Sequence, residues 1–135
     1  MKDVSQYSHR VTPDIVDSLN DGEIFVFGSN CRGFHGGGAA LTALRKFGAV
    51  YGQGDGLQGR SYAISTMEGV GEMRENIERF IAFAKAHREL TFLVTRIGCG
   101  IAGYSVETVA PLFKEAVDVD NIHLPEDFWQ ILCGM

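Results

Sequence analysis

Blocks of positive charge are absent from this sequence. Lys and Arg together number 12 against 17 Asp and Glu, which gives a formal net charge of −5, and the basic residues are scattered along the chain. Nonspecific binding to duplex nucleic acid or to an anionic membrane depends on a positive surface field. We therefore expect neither partner. A small anionic ligand is not excluded, because main-chain N–H groups bind phosphate without side-chain charge.

Cysteine is scarce, and long apolar runs are missing. The three cysteines, Cys31, Cys99 and Cys133, have neither the even count of a disulfide framework nor the CxxC spacing of a structural zinc site. No apolar run approaches the roughly 20 residues of a membrane-spanning helix. The first ten residues, MKDVSQYSHR, contain no apolar segment of the secretory type. We predict a cytoplasmic protein that uses no metal or cofactor.

Strand-like and helix-like patterns alternate along the 135 residues. β-prone runs predict strands over residues 24–27, 61–65, 91–95 and 121–124, and apolar periodicity predicts helices over 39–47, 72–88, 105–117 and 125–132. This alternation predicts βαβ crossovers and an α/β fold of three layers, α/β/α, around a mostly parallel or mixed sheet. The length suits a single domain spanning residues 1–135.

Four local features give more specific expectations. Residues 1–11 form a polar lead-in, and Thr12-Pro13-Asp14 has the residue types of a helix start, so a short helix is predicted through residue 19. Pro111 is expected to kink the helix that Ser105 caps. Residues 49–59 contain four glycines and are predicted to form a flexible arm or a loop on the ligand side.

Glycine is abundant, with 17 residues, and most of it lies between residues 28 and 103. One glycine loop, residues 28–38, joins a predicted strand to a predicted helix, and residues 98–104 do the same further along. A strand, a glycine loop and a helix N-terminus together present backbone amides to an anion. Two such loops predict a ligand with two phosphates. The first of these loops contains neither the GxGxxG motif nor the lysine of a Walker loop.

The first loop offers Gly36, Gly37 and Gly38, whose backbone can approach a ligand closely, unless they form only a structural turn. Asn30 follows the strand and either binds a sugar hydroxyl or forms an Asx turn. In the second loop we expect an uninterrupted cradle of main-chain donors. Cys99 is either a nucleophile that needs a base or a small residue in a tight turn.

Three further side chains are candidates for chemistry. His35 adjoins the triple glycine and would act as a general acid or hydrogen-bond donor, or else be a solvated loop histidine. Asp55 and Glu68 lie in loops at the predicted ligand end, where most acidic residues are only solvated turn positions. Tyr104 either stacks on a sugar or ring or caps the core.

With these residues in view, the chain resembles a macrodomain, the ADP-ribose-binding α/β module, over about residues 24–117. FVFGSN and GGGAALTAL are similar to the family's strand, Asn, triple-glycine and helix element. RIGCGIAGY is similar to its second phosphate loop, and RIGCG with SYAIST resembles the branch that contains the terminal ADP-ribose glycohydrolases. The chain also resembles a set of uncharacterised bacterial and phage proteins with the pattern FVFGSN–HGxGAA–FGA–GQGxGLQGxSYAIxT.

The resemblance implies binding of ADP-ribose or a related nucleotide diphosphate across the strand ends. It places Asn30 and Tyr104 beside the distal ribose. The residues implied to line the diphosphate are Gly36, Gly37, Gly38 and Ala39 on one side, and Gly98, Cys99, Gly100, Ile101, Ala102 and Gly103 on the other. Nucleic acid is implied only as an ADP-ribosylated substrate.

The sequence departs from the family where its catalytic groups would lie. Ala40 and Ala102 stand where hydrolytic branches carry an Asp, and Thr66, followed by Met67, stands where the glycohydrolase branch carries a Lys. Acid–base and Schiff-base chemistry both need such groups within reach. Three alternatives follow: a binding module, an ADP-ribosyl hydrolase that uses other groups such as His35, or a noncatalytic interaction protein.

Overall fold

One mixed sheet organises residues 3–135, the part of the chain that the computed structural model describes; Met1 and Lys2, which belong to the predicted lead-in, lie outside it. Within this range the sheet has six strands in the order β1-β6-β5-β2-β4-β3. The strands are β1 (Val11–Thr12), β2 (Glu23–Ser29), β3 (Gly56–Gln58), β4 (Ser61–Ser65), β5 (Thr91–Val94) and β6 (Ile122–Pro125). All neighbouring pairs are parallel except β3 with β4. The predicted α/β class and mostly parallel sheet are confirmed.

Helices pack against both faces of this sheet. They are α1 (Gly38–Lys46), α2 (Val70–Ala86), α3 (Val106–Val109) and α4 (Glu126–Cys133), with 3-10 helices at Val4–Arg10 and Ala110–Asp118. Residues of a strand point alternately to opposite faces. Phe25 and Phe27 of β2 accordingly pack with α1, whereas Ile24 and Val26 pack with α2 and the C-terminal helices. No helix among residues 3–135 is long and apolar enough to cross a membrane.

The predicted helix over residues 12–19 is wrong. Val11 and Thr12 form the edge strand β1, paired in parallel with Leu124 and Pro125 of β6, and residues 13–20 contain neither helix nor strand. Thr12 is buried, so its side chain does not serve as a helix cap at the surface. In the segment after it, Val16 packs against the hydrophobic core on the α1 side of the sheet. Pairing at the sheet edge therefore overrides the local capping pattern.

Three other segments differ from the predictions in part. The lead-in holds a 3-10 helix over Val4–Arg10, and the glycine-rich stretch 49–59 contributes the edge strand β3. The helix capped by Ser105 runs for one α-helical turn, Val106–Val109, and then continues as a 3-10 helix. The change comes one residue before Pro111, which has no N–H to donate to the preceding turn. We expected Pro111 to kink the helix, and what the structure shows there is a change of helix type.

Arg10 ties the N-terminal segment to the rest of the fold. Its guanidinium is buried and donates, at 2.7 to 3.0 Å, to the carbonyl oxygens of Ala116, Val117, Val119 and Ile122. It also lies 4.9 Å from the ring centroid of Trp129. Burial lowers its pKa from the ordinary arginine value. The carbonyl groups at the end of the second 3-10 helix thus accept hydrogen bonds from a residue more than a hundred positions away in the sequence.

We expect Arg10→Ala to lower the free energy of unfolding by about 3 kcal/mol, because it leaves several buried carbonyl groups without a donor. Urea denaturation measures this loss. The control is Arg88→Ala, which removes an exposed ion pair with Asp120 and should cost between 0 and about 1 kcal/mol. Equal losses in the two variants would contradict the anchoring role of Arg10.

Candidate functional site

A cleft of about 380 Å³ opens at the carboxyl ends of the central strands. After β2, the chain forms β4 on one side of β2. It then passes through α2 and forms β5 on the other side of β2. Ligands of open α/β sheets bind at such a reversal of strand order. The cleft lies between the loop after β2 and the loop after β5, and residues 66–67 also line it.

The first wall of the cleft is the N-terminus of α1. Gly37 is its N-cap and supplies no side-chain cap, and the amide of Leu41 donates to the carbonyl of Gly37 at 3.2 Å. The amides of Gly38, Ala39 and Ala40 precede that first helical bond, and all three residues line the cleft. Amides at this position have no acceptor within the helix and carry the positive end of its dipole.

The second wall is the loop after β5. A Cβ at Gly28 would lie 3.4 Å from the amide nitrogen of Gly98, so glycine allows this loop to approach the end of β2, and Gly98 itself has a φ of +74°. The loop's amides are partly occupied: Cys99 donates to Arg96, Gly103 to Gly100, and Tyr104 to Gly98.

The predicted uninterrupted cradle of donors is therefore wrong, because three of the seven amides of residues 98–104 donate to carbonyls in or next to the loop itself. Within residues 3–135, the amides of Gly100, Ile101 and Ala102 donate to no protein acceptor, and these residues line the cleft. Ile101 is 82% exposed. Its Cδ1 would lie 3.7 Å from a Cβ on Gly37, so its side chain extends toward the opposite wall.

Three predicted ligand residues of the second loop do not line the cleft: Cys99, Gly103 and Tyr104. Cys99 and Tyr104 are half-buried and pack against the core on the α2 side. Burial, and to a smaller extent Asp127, raises the pKa of the Cys99 thiol. A raised pKa keeps the sulfur protonated and poorly nucleophilic. The tight-turn interpretation of Cys99 and the core-capping interpretation of Tyr104 fit this placement.

Asn30 and Glu68 organise the loop after β2. The Oδ1 of Asn30 accepts from the amides of Arg32 and Phe34, both at 3.1 Å, which is the predicted Asx-type turn, although Asn30 also lines the cleft. Glu68 accepts from the hydroxyl of Ser65 and from the amide of Cys31. Burial would raise the pKa of Glu68, but these hydrogen bonds outweigh it and lower the pKa.

The structure places the other two candidates away from the cleft surface. Asp55 forms an ion pair with Arg79 at 3.0 Å; burial raises the pKa of Asp55, and Arg79 opposes the shift. Of the two alternatives for His35, the solvated loop histidine is wrong: His35 is fully buried, with its ring 5.1 Å from that of Phe27. Its Nδ1 lies 3.5 Å from the hydroxyl of Ser29, which does line the cleft.

Several lining residues were missed by the sequence analysis. They are Gly28, Ser29, Phe34, Thr95, Arg96 and Ile97; Thr66 and Met67 line the cleft as well, but the sequence analysis named them only as the place of a missing Lys. The side chain of Arg96 is held by Asp127 at 2.9 Å and Asp14 at 3.0 Å, and the hydrogen bond to Asp127 is the main cause of its raised pKa. Apart from Phe34, these residues lie at or just past the carboxyl ends of β2, β4 and β5. They can be grouped into one site only when the order of the strands in the sheet is known.

A second cleft of about 400 Å³ adjoins the first. The two share Ala39, Thr95 and Arg96. Asp14 and Ile15, in the segment once predicted to be helical, line the second cleft, and the side chain of Ile15 is 75% exposed. The shared residues make the two spaces neighbours on one surface. The second is lined by apolar and acidic groups together with Lys46, and the first includes residues with unpaired backbone amides.

Comparison with known proteins adds no assignment: no protein-family model matches the chain, and no significant match exists among curated proteins or solved structures.

Alkylation of the cysteines tests the description of the second loop. At neutral pH we expect iodoacetamide to modify exposed Cys31 first and Cys99 at least tenfold more slowly, because only the thiolate reacts and burial raises the Cys99 pKa. Peptide mass spectrometry over time gives both rates. In denaturing urea the rates should converge. A Cys99 that reacts faster than Cys31 in the folded protein would indicate an activated thiol and contradict this account.

Proposed function

We propose that this protein binds ADP-ribose, or a related nucleotide diphosphate, in the cleft at the ends of β2 and β5. The observation that carries the proposal is that two sets of residues with unpaired amides line one cleft, residues 38–40 on one wall and 100–102 on the other. One such group suits one phosphate, and two suit a diphosphate held between them.

Electrostatics supports an anionic ligand at this place despite the net charge of −5. No Asp or Glu is among the lining residues of the described chain, so no carboxylate opposes a phosphate there. The dipole of α1 contributes partial positive charge at Gly38. Arg96 lines the cleft too, although two carboxylates already neutralise much of its charge.

The neighbouring cleft provides space for the remainder of a nucleotide. Its exposed Ile15 offers an apolar surface to a base, and Asp14 offers a carboxylate that can accept from an exocyclic amine. Thr95 and Arg96 lie where the two spaces meet. A ligand that fills both would have its charged centre between the glycine walls and its planar group beside Ile15.

The same features support a macrodomain-like identity for the chain. Ala40, Ala102 and Thr66, which replace the family's catalytic Asp and Lys, all line the cleft. The hydroxyl of Thr66 donates to the carbonyl of Ser29 at 3.3 Å. The cleft thus keeps the backbone that would bind a diphosphate without the side chains of the usual hydrolytic routes, which favours binding as the primary function.

Calorimetric titration with ADP-ribose is the direct test. We expect saturable heat with a stoichiometry of one, and a higher unfolding temperature in the presence of the ligand. Phosphate alone should bind far more weakly than the diphosphate, because it engages one wall at a time. Neither heat nor a thermal shift at millimolar ADP-ribose would overturn the proposal.

A matched pair of variants at Gly100 tests where the ligand lies. A Cβ at Gly100 meets no atom within 4 Å, so both Gly100→Asp and Gly100→Asn should fold normally. Asp places a negative charge beside the diphosphate and should weaken ADP-ribose binding at least tenfold, or about 1.4 kcal/mol. The neutral, isosteric Asn should change Kd less than about threefold. Equal Kd values for the two variants would place the charged part of the ligand elsewhere.

A further inference from the structure

Two aromatic side chains are exposed beside the cleft. The rings of Phe34 and Tyr51 are nearly parallel, at 14°, and their centroids lie 5.5 Å apart. This separation is typical of offset-stacked rings, which leave part of each face uncovered. Phe34 is 49% exposed and Tyr51 is 62% exposed, and Phe34 also lines the cleft. These two residues, called the aromatic pair below, have no role in the binding of a diphosphate by backbone amides.

Backbone contacts hold the aromatic pair in place. The amide of Gly52 donates to the carbonyl of Gly33 at 2.9 Å, which joins the loop after β2 to the loop before β3. A Cβ at Gly33 would lie 2.3 Å from the amide nitrogen of Gln53, so glycine is needed for this close approach. The side chain of Asn30 accepts from the amide of Phe34 at 3.1 Å and donates to its carbonyl at 3.3 Å. The loops are therefore joined independently of the two rings.

The aromatic pair and the second cleft lie on different sides of the end of β2. The amide of Cys31, in the same loop as Phe34, donates to Glu68, which follows β4. The second cleft shares Thr95 and Arg96 with the first cleft, and these two residues follow β5. Strands β4 and β5 flank β2 on its two sides. The cleft at the end of β2 therefore has a surface suited to a planar group on each side.

We propose that the cleft binds an intact dinucleotide, two nucleosides joined through a diphosphate, with the second ring stacked on the aromatic pair. This inference rests on the proposed binding of a nucleotide diphosphate between the two walls. ADP-ribose has a single planar group, which the second cleft would receive beside Ile15, so it leaves the aromatic pair uncovered. A dinucleotide carries a further ring one ribose beyond the diphosphate, on the side where Phe34 lines the cleft.

The surroundings of the aromatic pair favour an uncharged ring. A planar ring that stacks on exposed aromatic side chains removes apolar surface of both partners from water. Met67, which is 47% exposed and also lines the cleft, adds apolar surface after β4. The guanidinium of Arg32 lies 5.9 Å from the ring centroid of Phe34, and its positive charge disfavours a cationic ring at the same place. Among nicotinamide dinucleotides, NADH has the uncharged ring and is therefore the probe.

Calorimetric titration with matched ligands tests the inference. NADH and ADP-ribose share the adenosine, the diphosphate and the second ribose, and only NADH carries a ring on that ribose. We expect NADH to bind roughly fivefold more tightly than ADP-ribose, or better, because of the stacking. Diadenosine diphosphate, whose second ring is an uncharged purine, should show a similar gain. A gain for only one of these two ligands would identify the second ring and would still support the inference.

Substitutions at Tyr51 separate stacking from the rest of the site, because Tyr51 does not line the cleft. Tyr51→Leu removes the ring and should bring the Kd for NADH to within about twofold of the Kd for ADP-ribose. Tyr51→Phe keeps the ring and should keep the gain. Neither variant should change the Kd for ADP-ribose. The control is Leu57→Ala, which shortens another exposed apolar side chain and should leave all Kd values unchanged. Because both positions are exposed, the three variants should fold.

The outcomes distinguish this inference from the function on which it rests. If neither NADH nor diadenosine diphosphate binds the wild-type protein more tightly than ADP-ribose does, the dinucleotide inference is overturned and the binding of ADP-ribose stands. A gain that persists in Tyr51→Leu would place the second ring elsewhere and would also overturn the inference. If none of the three ligands binds, the proposed function fails and the inference fails with it.

Discussion

Strand β2 forms parallel ladders with β4 on one side and β5 on the other, and the rest of the structure depends on this arrangement. Because both faces of β2 are covered, its residues from Ile24 to Phe27 are apolar and nearly inaccessible. From its carboxyl end the chain goes on to form β4 on one side of β2 and later β5 on the other side. The cleft forms there, between the α1 N-terminus and the loop after β5.

The cleft combines backbone that can bind an anion with side chains that carry almost no charge. Amides supply the donors, and Ala40 and Ala102 keep the walls small and neutral. Charged groups near the site are engaged in holding the scaffold: Glu68 fixes the loop after β2, and Arg96 joins Asp14 to Asp127. Under the proposed function, binding in this cleft rests on main-chain geometry.

The strands and most helices could be predicted from the sequence because their signals are local: β4 was predicted residue for residue, and β2, β5, α1 and α2 to within three residues at each end. The lining of the cleft by Gly36, Gly37 and Gly38 was also predictable, since these residues lie directly before a predicted helix. The edge strand β1, the burial of His35 and the internal bonds of the second loop were not. Each depends on partners distant in sequence, such as Leu124 for β1 and Gln58 for His35, and no local pattern reports such pairings.

Amide chemical shifts measured by NMR during titration with ADP-ribose test the central claim most directly, because the claim concerns named backbone N–H groups. The account predicts that the amides of residues 38–40 and 100–102 shift together and saturate with one common Kd, since a single diphosphate contacts both walls. Shifts confined to one wall would mean that the two loops do not share a ligand. No change at either wall, with saturable changes elsewhere, would contradict the account.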